Sequence, residues 1–179
     1  MTEHAFGLIP FPNGNIPDLT ITGRIAHQKD GLTVQYFLTG ALDHILLPQP
    51  VPHRGRREEL WLATCFEFFL ALPDQPQYWE FNLSPSGEWN CFHMDAYRRV
   101  GFREEGRIAK PRIQSGRDVN GLRLEAVVDL SPILETGVPI QAGITSVIQT
   151  HDGHESYWAL VHPLPYADFH IRESFILAL

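Results

Sequence analysis

Glu67 and Glu80 are the residues of this chain best placed to do chemistry. Each is an acidic side chain near the middle of an apolar run, CFEFFLAL and YWEFNL. Two carboxyl groups on neighbouring strands can serve as the acid and the base or nucleophile of glycoside hydrolysis, which requires such a pair at a defined separation. The same pair can instead hold the hydroxyls of a bound ligand. Read at a period of two, the stretch from Trp61 to Tyr97 gives three strands joined by short turns. That phase puts Trp61, Glu67, Glu80, Asn82, Trp89 and His93 on one face. Leu62, Phe66, Phe68, Leu70, Trp79, Phe81, Leu83, Phe92 and Met94 take the other. An antiparallel sheet with one covered face needs this alternation. The polar face is unusually aromatic, however, and aromatic rings stack on the C–H faces of sugars or on planar ligands while nearby polar groups fix orientation.

A Pro-rich connection, ALDHILLPQPVPHRGRR at 41–57, leads into this stretch. Long loops in compact domains are often functional. This one is expected to carry His53, Arg54, Arg56 and Arg57 to the start of the Trp61 strand, where Arg56 could hydrogen-bond a ligand. It could equally cover the aromatic face, leaving Trp61 and Trp89 as packing residues. The segment from Arg57 to Trp61 suits a single helical turn.

Other chemistries find less support. The nine histidines lack the tight spacing of a structural zinc site, so no metal is expected. His93 beside Asp95 reads as a hydrogen-bonded surface histidine. There is no Gly-rich phosphate loop in a strand–turn–helix context and no nucleophile elbow, so no cofactor is expected.

These residues must be positioned by strands. Leu19, Ile21 and Ile25 alternate with polar residues, as do Leu32, Val34, Tyr36 and Leu38, and Lys29-Asp30-Gly31 between them is a turn signal. Leu122 to Leu130 and Ile140 to Gln149 read as further strands, and Asp152-Gly153 marks a hairpin to Tyr157–Val161. Phe175 to Leu179 closes the chain as a strand. Ile45–Leu47 and Ile108–Gln114 suit short strands, and Ser131-Pro132-Ile133-Leu134 a helical turn. His4 to Pro17 reads as an irregular arm, because Pro10, Pro12 and Pro17 cannot donate to a ladder. About ten strands, no sustained helical period and no repeat predict one all-β domain over 1–179: an antiparallel β-sandwich, jelly-roll-like, with short helical turns.

Composition agrees. Hydrophobic residues make up 44% and charged residues 20%, which is ordinary for a globular chain. The formal net charge of −7 argues against a duplex nucleic-acid partner, which demands cations. No run suits a membrane span, so no membrane partner is expected. The start, MTEHAFGLIPFPNGN, lacks the basic and apolar regions of a secretory signal, which points to the cytoplasm. Cys65 and Cys91 share a face by parity and are expected as free thiols.

The segment CFEFFLALPDQPQYWEFNLSPSGEWN, with the tail FHIRESFILAL, resembles the DOMON-like and type 9 carbohydrate-binding modules. The shared features are an acidic residue in an apolar strand, a Tyr-aromatic-Glu-Phe strand, then Asn-x-x-Pro-x-Gly, and a Phe-His ending. The resemblance implies a β-sandwich that binds sugars or haem without catalysis. It implies that Trp61 stacks on the ligand and Glu67 hydrogen-bonds it, with Trp158 as a second stacking residue. The haem branch uses Met and His ligands, and Met94, the only internal methionine, would point into the core.

Together these readings lead to one expectation: a non-catalytic module for a small, sugar-like ligand, bound by Trp61, Glu67, Glu80, Asn82, Trp89, Trp158 and Arg56. The alternatives are a hydrolytic or metal-assisted enzyme using Glu67 with Glu80 or a histidine, a structural module, and haem binding.

Overall fold

Period-two alternation becomes strand through most of the chain. The computed structural model describes residues 2–12, 16–29, 31–98 and 100–179. Twelve strands follow in order among them: β1 (Thr2–Pro10), β2 (Leu19–Gln28), β3 (Gly31–Gly40), β4 (Cys65–Ala71), β5 (Tyr78–Leu83), β6 (Trp89–Met94), β7 (Arg103–Glu104), β8 (Arg112–Asp118), β9 (Gly121–Asp129), β10 (Gln141–Gln149), β11 (Glu155–Ala159) and β12 (Leu177–Ala178). Single 3₁₀ turns sit at Leu42–His44, Leu60–Leu62 and Arg172–Ser174. No helix of the described residues is long and apolar enough to cross a membrane.

Every pairing between the strands is antiparallel, in the order β7-β6-β5-β4-β10-β11-β1-β2-β3-β9-β8, with β12 on β10 beyond β11. β1 joins the two layers. Its residues Thr2 to Leu8 pair with β2, and Ile9 and Pro10 pair with β11. One layer is therefore β1-β2-β3-β9-β8, and the other is β11-β10-β4-β5-β6-β7.

The main core lies between the layers. Ile21, Ile25, Val34, Tyr36, Leu38, Leu124 and Val128 meet Phe66, Phe68, Leu70, Trp79, Phe81, Leu83 and Ile144. Each large apolar side chain buried there stabilises the fold by about 1.5–3 kcal/mol. The Phe68 and Phe81 rings stack at 4.4 Å across the β4–β5 pair. Tyr36 ties the layers together: its ring packs 4.9 Å from Phe66, and its hydroxyl donates to the backbone carbonyl of Glu67 at 2.7 Å. That bond satisfies a hydroxyl with no access to water.

A second apolar cluster lies on the other side of β4, β5 and β6, built from Phe69, Ala71, Tyr78, Phe92, Met94 and Phe175. Gly143 makes room for it, since a Cβ there would come within 2.7 Å of the Phe175 ring. Every residue of β4, β5 and β6 is consequently buried, whichever way it points.

That double burial corrects the expected phase of β6. Leu83 pairs with Trp89, Phe81 with Cys91 and Trp79 with His93. Residues directly opposite share a face. Trp89, Cys91 and His93 therefore belong to the sandwich side, while Phe92 and Met94 join Glu80. Apolar residues occupy both sides of WNCFHM, so hydrophobicity does not choose the register. Cys65 and Cys91 end on opposite faces of strands separated by β5, and both are free thiols. Met94 lies on the Glu80 face, fully buried in the second cluster.

Three smaller corrections follow. The first half of the segment read as an irregular arm, His4 to Pro10, lies in strand β1, with Pro10 at the strand's end and Pro12 and Pro17 beyond it, while residues 13–15 lie outside the described residues. Trp61 lies in a 3₁₀ turn before β4 rather than in that strand. Ile45 makes a single bridge to Thr150 in place of a short strand. The expected hairpins of β2–β3 and β10–β11 are present. Asp30, in the first of those turn signals, lies outside the described residues.

Candidate ligand-binding cleft

Strand pairing brings the two glutamates together. Glu67 on β4 stands opposite Asn82, and Glu80 on β5 stands opposite Phe69. The carboxyl-bearing residues are thus diagonal neighbours on one face, with Cα atoms about 7–8 Å apart. β10 places Thr145 opposite Glu67 on its other side, and Val147 opposite Tyr157 of β11. β6 sets Phe92 opposite Glu80. Of these, Glu67, Phe69, Glu80, Phe92, Val147 and Tyr157 floor a cleft of about 610 Å³.

Two irregular segments wall it. On one side Glu59 adopts φ 58° and starts the turn that carries Trp61. The half-buried Trp61 ring meets the Phe92 ring edge-on at 5.7 Å, and Phe92 in turn stacks on Phe102 at 4.8 Å. On the other side runs the segment from Ala167 to His170, with Phe169 edge-on to Tyr157 at 6.1 Å. Asp168 anchors this wall. One of its oxygens accepts from the His170 backbone N–H at 2.9 Å and the other from the Arg98 guanidinium at 2.8 Å and from the Tyr97 hydroxyl.

The carboxyl groups at the floor are short of partners. Glu67 is 2% exposed; one oxygen accepts from the Thr145 hydroxyl at 3.1 Å, and the other has no hydrogen-bond partner among the described residues. Burial pushes its carboxyl well above the usual range, the neighbouring Glu80 pushes the same way, and Thr145 opposes them. Glu80 accepts from the Asn82 amide at 2.8 Å. Burial raises it to about 7, against the Asn82 bond.

His170 completes the group. Its Nε2 stands 3.9 Å from Glu80 Oε2, too far for a hydrogen bond. Burial lowers the imidazole to about 4, outweighing the opposite pull of Asp168. The pair is therefore a neutral imidazole beside a carboxyl group near its titration midpoint at pH 7, and not an ion pair. The Tyr78 hydroxyl accepts from the Arg98 backbone N–H at 2.9 Å and lies 2.9 Å from His170 Nδ1. If Tyr78 donates its proton to Nδ1, the imidazole proton sits on Nε2, on the Glu80 side.

Of the residues singled out from sequence, Trp61, Glu67 and Glu80 line the cleft. Asn82 lies beneath it, fully buried, and positions Glu80. Trp89, Trp158 and Arg56 are placed elsewhere. Trp89 and Trp158 belong to the main core, and Trp158 donates its indole N–H to the Ser156 hydroxyl at 2.9 Å. Arg56 lies over the Trp89 ring at 4.3 Å and bonds Asn90 Oδ1 at 2.8 Å and the carbonyls of Glu105 and Ile108 at 2.7 Å. It braces a loop and does not reach the cleft. Loop 41–57 contributes no lining residue. His93 is buried against Trp79, ring centroids 5.2 Å apart, rather than at the surface.

The sequence reading missed Phe92, Phe102, Tyr157, Phe169, His170 and Asp168 as site residues. Tyr157 had a readable signal, since alternation puts it opposite Trp158. The 166–170 segment offered only the Phe169-His170 start of the tail FHIRESFILAL, and nothing local tells a loop where to dock.

No family model matches the chain, and no curated protein matches it. Solved structures do. A candidate carbohydrate-binding protein from Bacteroides uniformis superposes with a TM-score of 0.65 at 14% identity, covering 96% of this chain and 83% of that one. A family 9 carbohydrate-binding module from Caldicellulosiruptor kristjanssonii, in complex with cellotriose, superposes with a TM-score of 0.53 at 11% identity, covering 82% of this chain and 68% of that one. At such identities the likeness is one of fold: the chain has an all-β architecture shared with carbohydrate-binding proteins.

Proposed function

We propose that the cleft binds a small carbohydrate-like molecule without changing it chemically. One observation carries this reading: a buried, half-satisfied Glu67 carboxyl at the floor of an aromatic-walled cleft. A sugar presents C–H faces to rings such as Trp61 and hydroxyl donors to Glu67 and Glu80. Asn82 and Thr145 act as positioning residues for the two carboxyl groups. The kinship in fold with a module crystallised with cellotriose supports the ligand class. On this reading residues 1–179 form one cytoplasmic binding domain related to the DOMON-like and type 9 modules, and Trp89, Trp158 and Arg56 serve its stability instead of its ligand.

Tryptophan fluorescence titrated with mono- and disaccharides tests the proposal. A saturable change lost in Trp61→Ala is expected. No response to any sugar, by fluorescence or calorimetry, sinks it.

A second reading rests on the Glu80 carboxyl, whose pKa of about 7 suits a general acid or base at neutral pH. With Glu67 it could assist hydrolysis of a glycoside. Nitrophenyl glycosides test this: release of nitrophenol that disappears in Glu80→Gln supports it, and no release from any anomer removes it.

A further inference from the structure

We infer that the sugar-like ligand of this cleft carries a protonated amine, and that the ammonium group is received between Glu67 and Glu80 against the aromatic wall. The inference rests on the binding role proposed above and deepens it by naming the ligand's charge.

Three observations converge. The first is the unpartnered Glu67 oxygen, which lies in a side chain 2% exposed at the cleft floor. An acceptor left bare and buried has lost its water without replacing it, so a donor in the ligand recovers more there than at a solvated rim.

The second is the balance of charge. Glu58, Glu59 and Glu155 join the two floor glutamates around the cleft, and the cation among its lining residues, Arg98, is already held by Asp168 at 2.8 Å. His170 is neutral and supplies no counter-charge. Among the described lining residues nothing offsets a negative charge on Glu67 or Glu80, and burial keeps both carboxyl groups from ionising readily. A ligand cation supplies the missing partner. A neutral hydroxyl satisfies the geometry but leaves the charge unmatched.

The third is the nature of the wall. Phe69 stands directly opposite Glu80 on the neighbouring strand, and Phe92 stands opposite it on the other side. Trp61 closes over Phe92. Aromatic rings around an acid pair attract an ammonium group through the ring quadrupole. The same rings stack the hydroxylated ring that bears the amine. A carboxylate or phosphate ligand, by contrast, would meet an acid-rich lining in which the cation, Arg98, is already held by Asp168.

The test is isothermal calorimetry at pH 7 with D-glucosamine, D-glucose and N-acetyl-D-glucosamine. The three share a ring, and only the first carries a charge. Glucosamine is expected to bind at least about tenfold tighter than either neutral sugar, a difference of roughly 1.4 kcal/mol. In Glu67→Gln the ratio of glucosamine to glucose affinity is expected to fall to about one. Asp43→Asn, which removes an acid paired with Arg117 far from the cleft, is expected to keep the wild-type ratio. Should Glu67→Gln fail to fold by circular dichroism, Glu80→Gln carries the same comparison. Equal affinity for glucose and glucosamine in the wild type overturns the inference and leaves sugar binding standing. A preference that persists in both glutamine variants also overturns it. Binding of none of the three sugars removes the inference together with the reading beneath it.

Discussion

Two sets of buried carboxyl groups lie on the second layer of this sandwich, and they could hardly be treated more differently. Glu105, just beyond β7, is 6% exposed. Its Oε1 accepts from the Arg107 backbone N–H at 3.1 Å and side-chain Nε at 2.9 Å; its Oε2 accepts from Arg107 at 2.7 Å and from the Trp79 indole N–H at 3.2 Å. The Arg107 bonds, with help from Trp79, hold it down to about 2. Glu67 and Glu80 are as deeply buried, yet among the described residues no cation pairs with them, and both are pushed up. Burial alone does not make a site. Glu105 is a finished structural joint with every lone pair in use, whereas Glu67 still has an acceptor to offer. The same contrast separates the tryptophans. Trp158 is 3% exposed with its N–H satisfied, and Trp61 is half-buried at the cleft wall.

The contrast can be broken from either side, and the largest effect is expected in the core. Trp158→Ala should cost about 3–5 kcal/mol in urea unfolding, as large core truncations do. A loss under about 1 kcal/mol would mean that Trp158 is not a core residue. Next comes pH. The Glu80 carboxyl rises on folding from an ordinary 4.5 to about 7, so the stability it contributes is full below pH 4.5 and is lost as pH rises through 7. Glu67 acts in the same direction. His170 falls from 6.5 to about 4, so its contribution is full above 6.5 and is lost as pH falls through 4. Between these limits the two slopes oppose each other. Glu80→Gln removes the loss on the alkaline side and should be more stable than wild type at pH 8.5 by about 1–3 kcal/mol, with little difference at pH 4.5. Denaturant titrations at the two pH values would reveal an effect of the opposite sign.

Glu105→Ala should follow, at about 1–3 kcal/mol at pH 7, because it leaves the buried Trp79 N–H without an acceptor. Its pH dependence has the other sign. The stability due to Glu105 is present above 4.5 and is lost as pH falls through 2. A thermal unfolding series from pH 7 to pH 2 should show wild type and Glu105→Ala converging in acid. Parallel curves would break the comparison between the carboxyl sets. The smallest effect on stability is expected for Trp61→Ala, under about 1 kcal/mol, since a half-buried wall residue leaves little cavity. That variant should lose sugar binding while its melting temperature hardly moves. A large drop in melting temperature would assign Trp61 to packing.

Much of the fold was legible because half-covered strands announce themselves. β2, β3 and β9 alternate buried and exposed residues along nearly their whole length, and they stand where Leu19–Ile25, Leu32–Leu38 and Leu122–Leu130 put them. β6 was misphased for the opposite reason. With both faces covered, Trp89 and Phe92 are equally apolar neighbours on opposite sides, and only the pairing with β5 chooses between them. The site divides along the same line. Glu67 and Glu80 stood out as acids in apolar strands, and adjacent pairing put them on one face. Trp89 and Trp158 stood out as tryptophans, and burial withdrew both.

The amino-acid sequence by itself determined the all-β class, the positions of the half-covered strands β2, β3 and β9, and the placing of two glutamates on one sheet face. Side-chain alternation is a local property that burial imposes on each strand. Only the tertiary structure decided which residues enclose those glutamates. Residues 95–98 and the 166–170 segment dock through contacts distant in the chain, such as Arg98 with Asp168, which no local pattern encodes. It likewise decided the charge of the site, because whether a buried carboxyl group ionises depends on which cations reach it. Arg107 reaches Glu105, and among the described residues no cation pairs with Glu67.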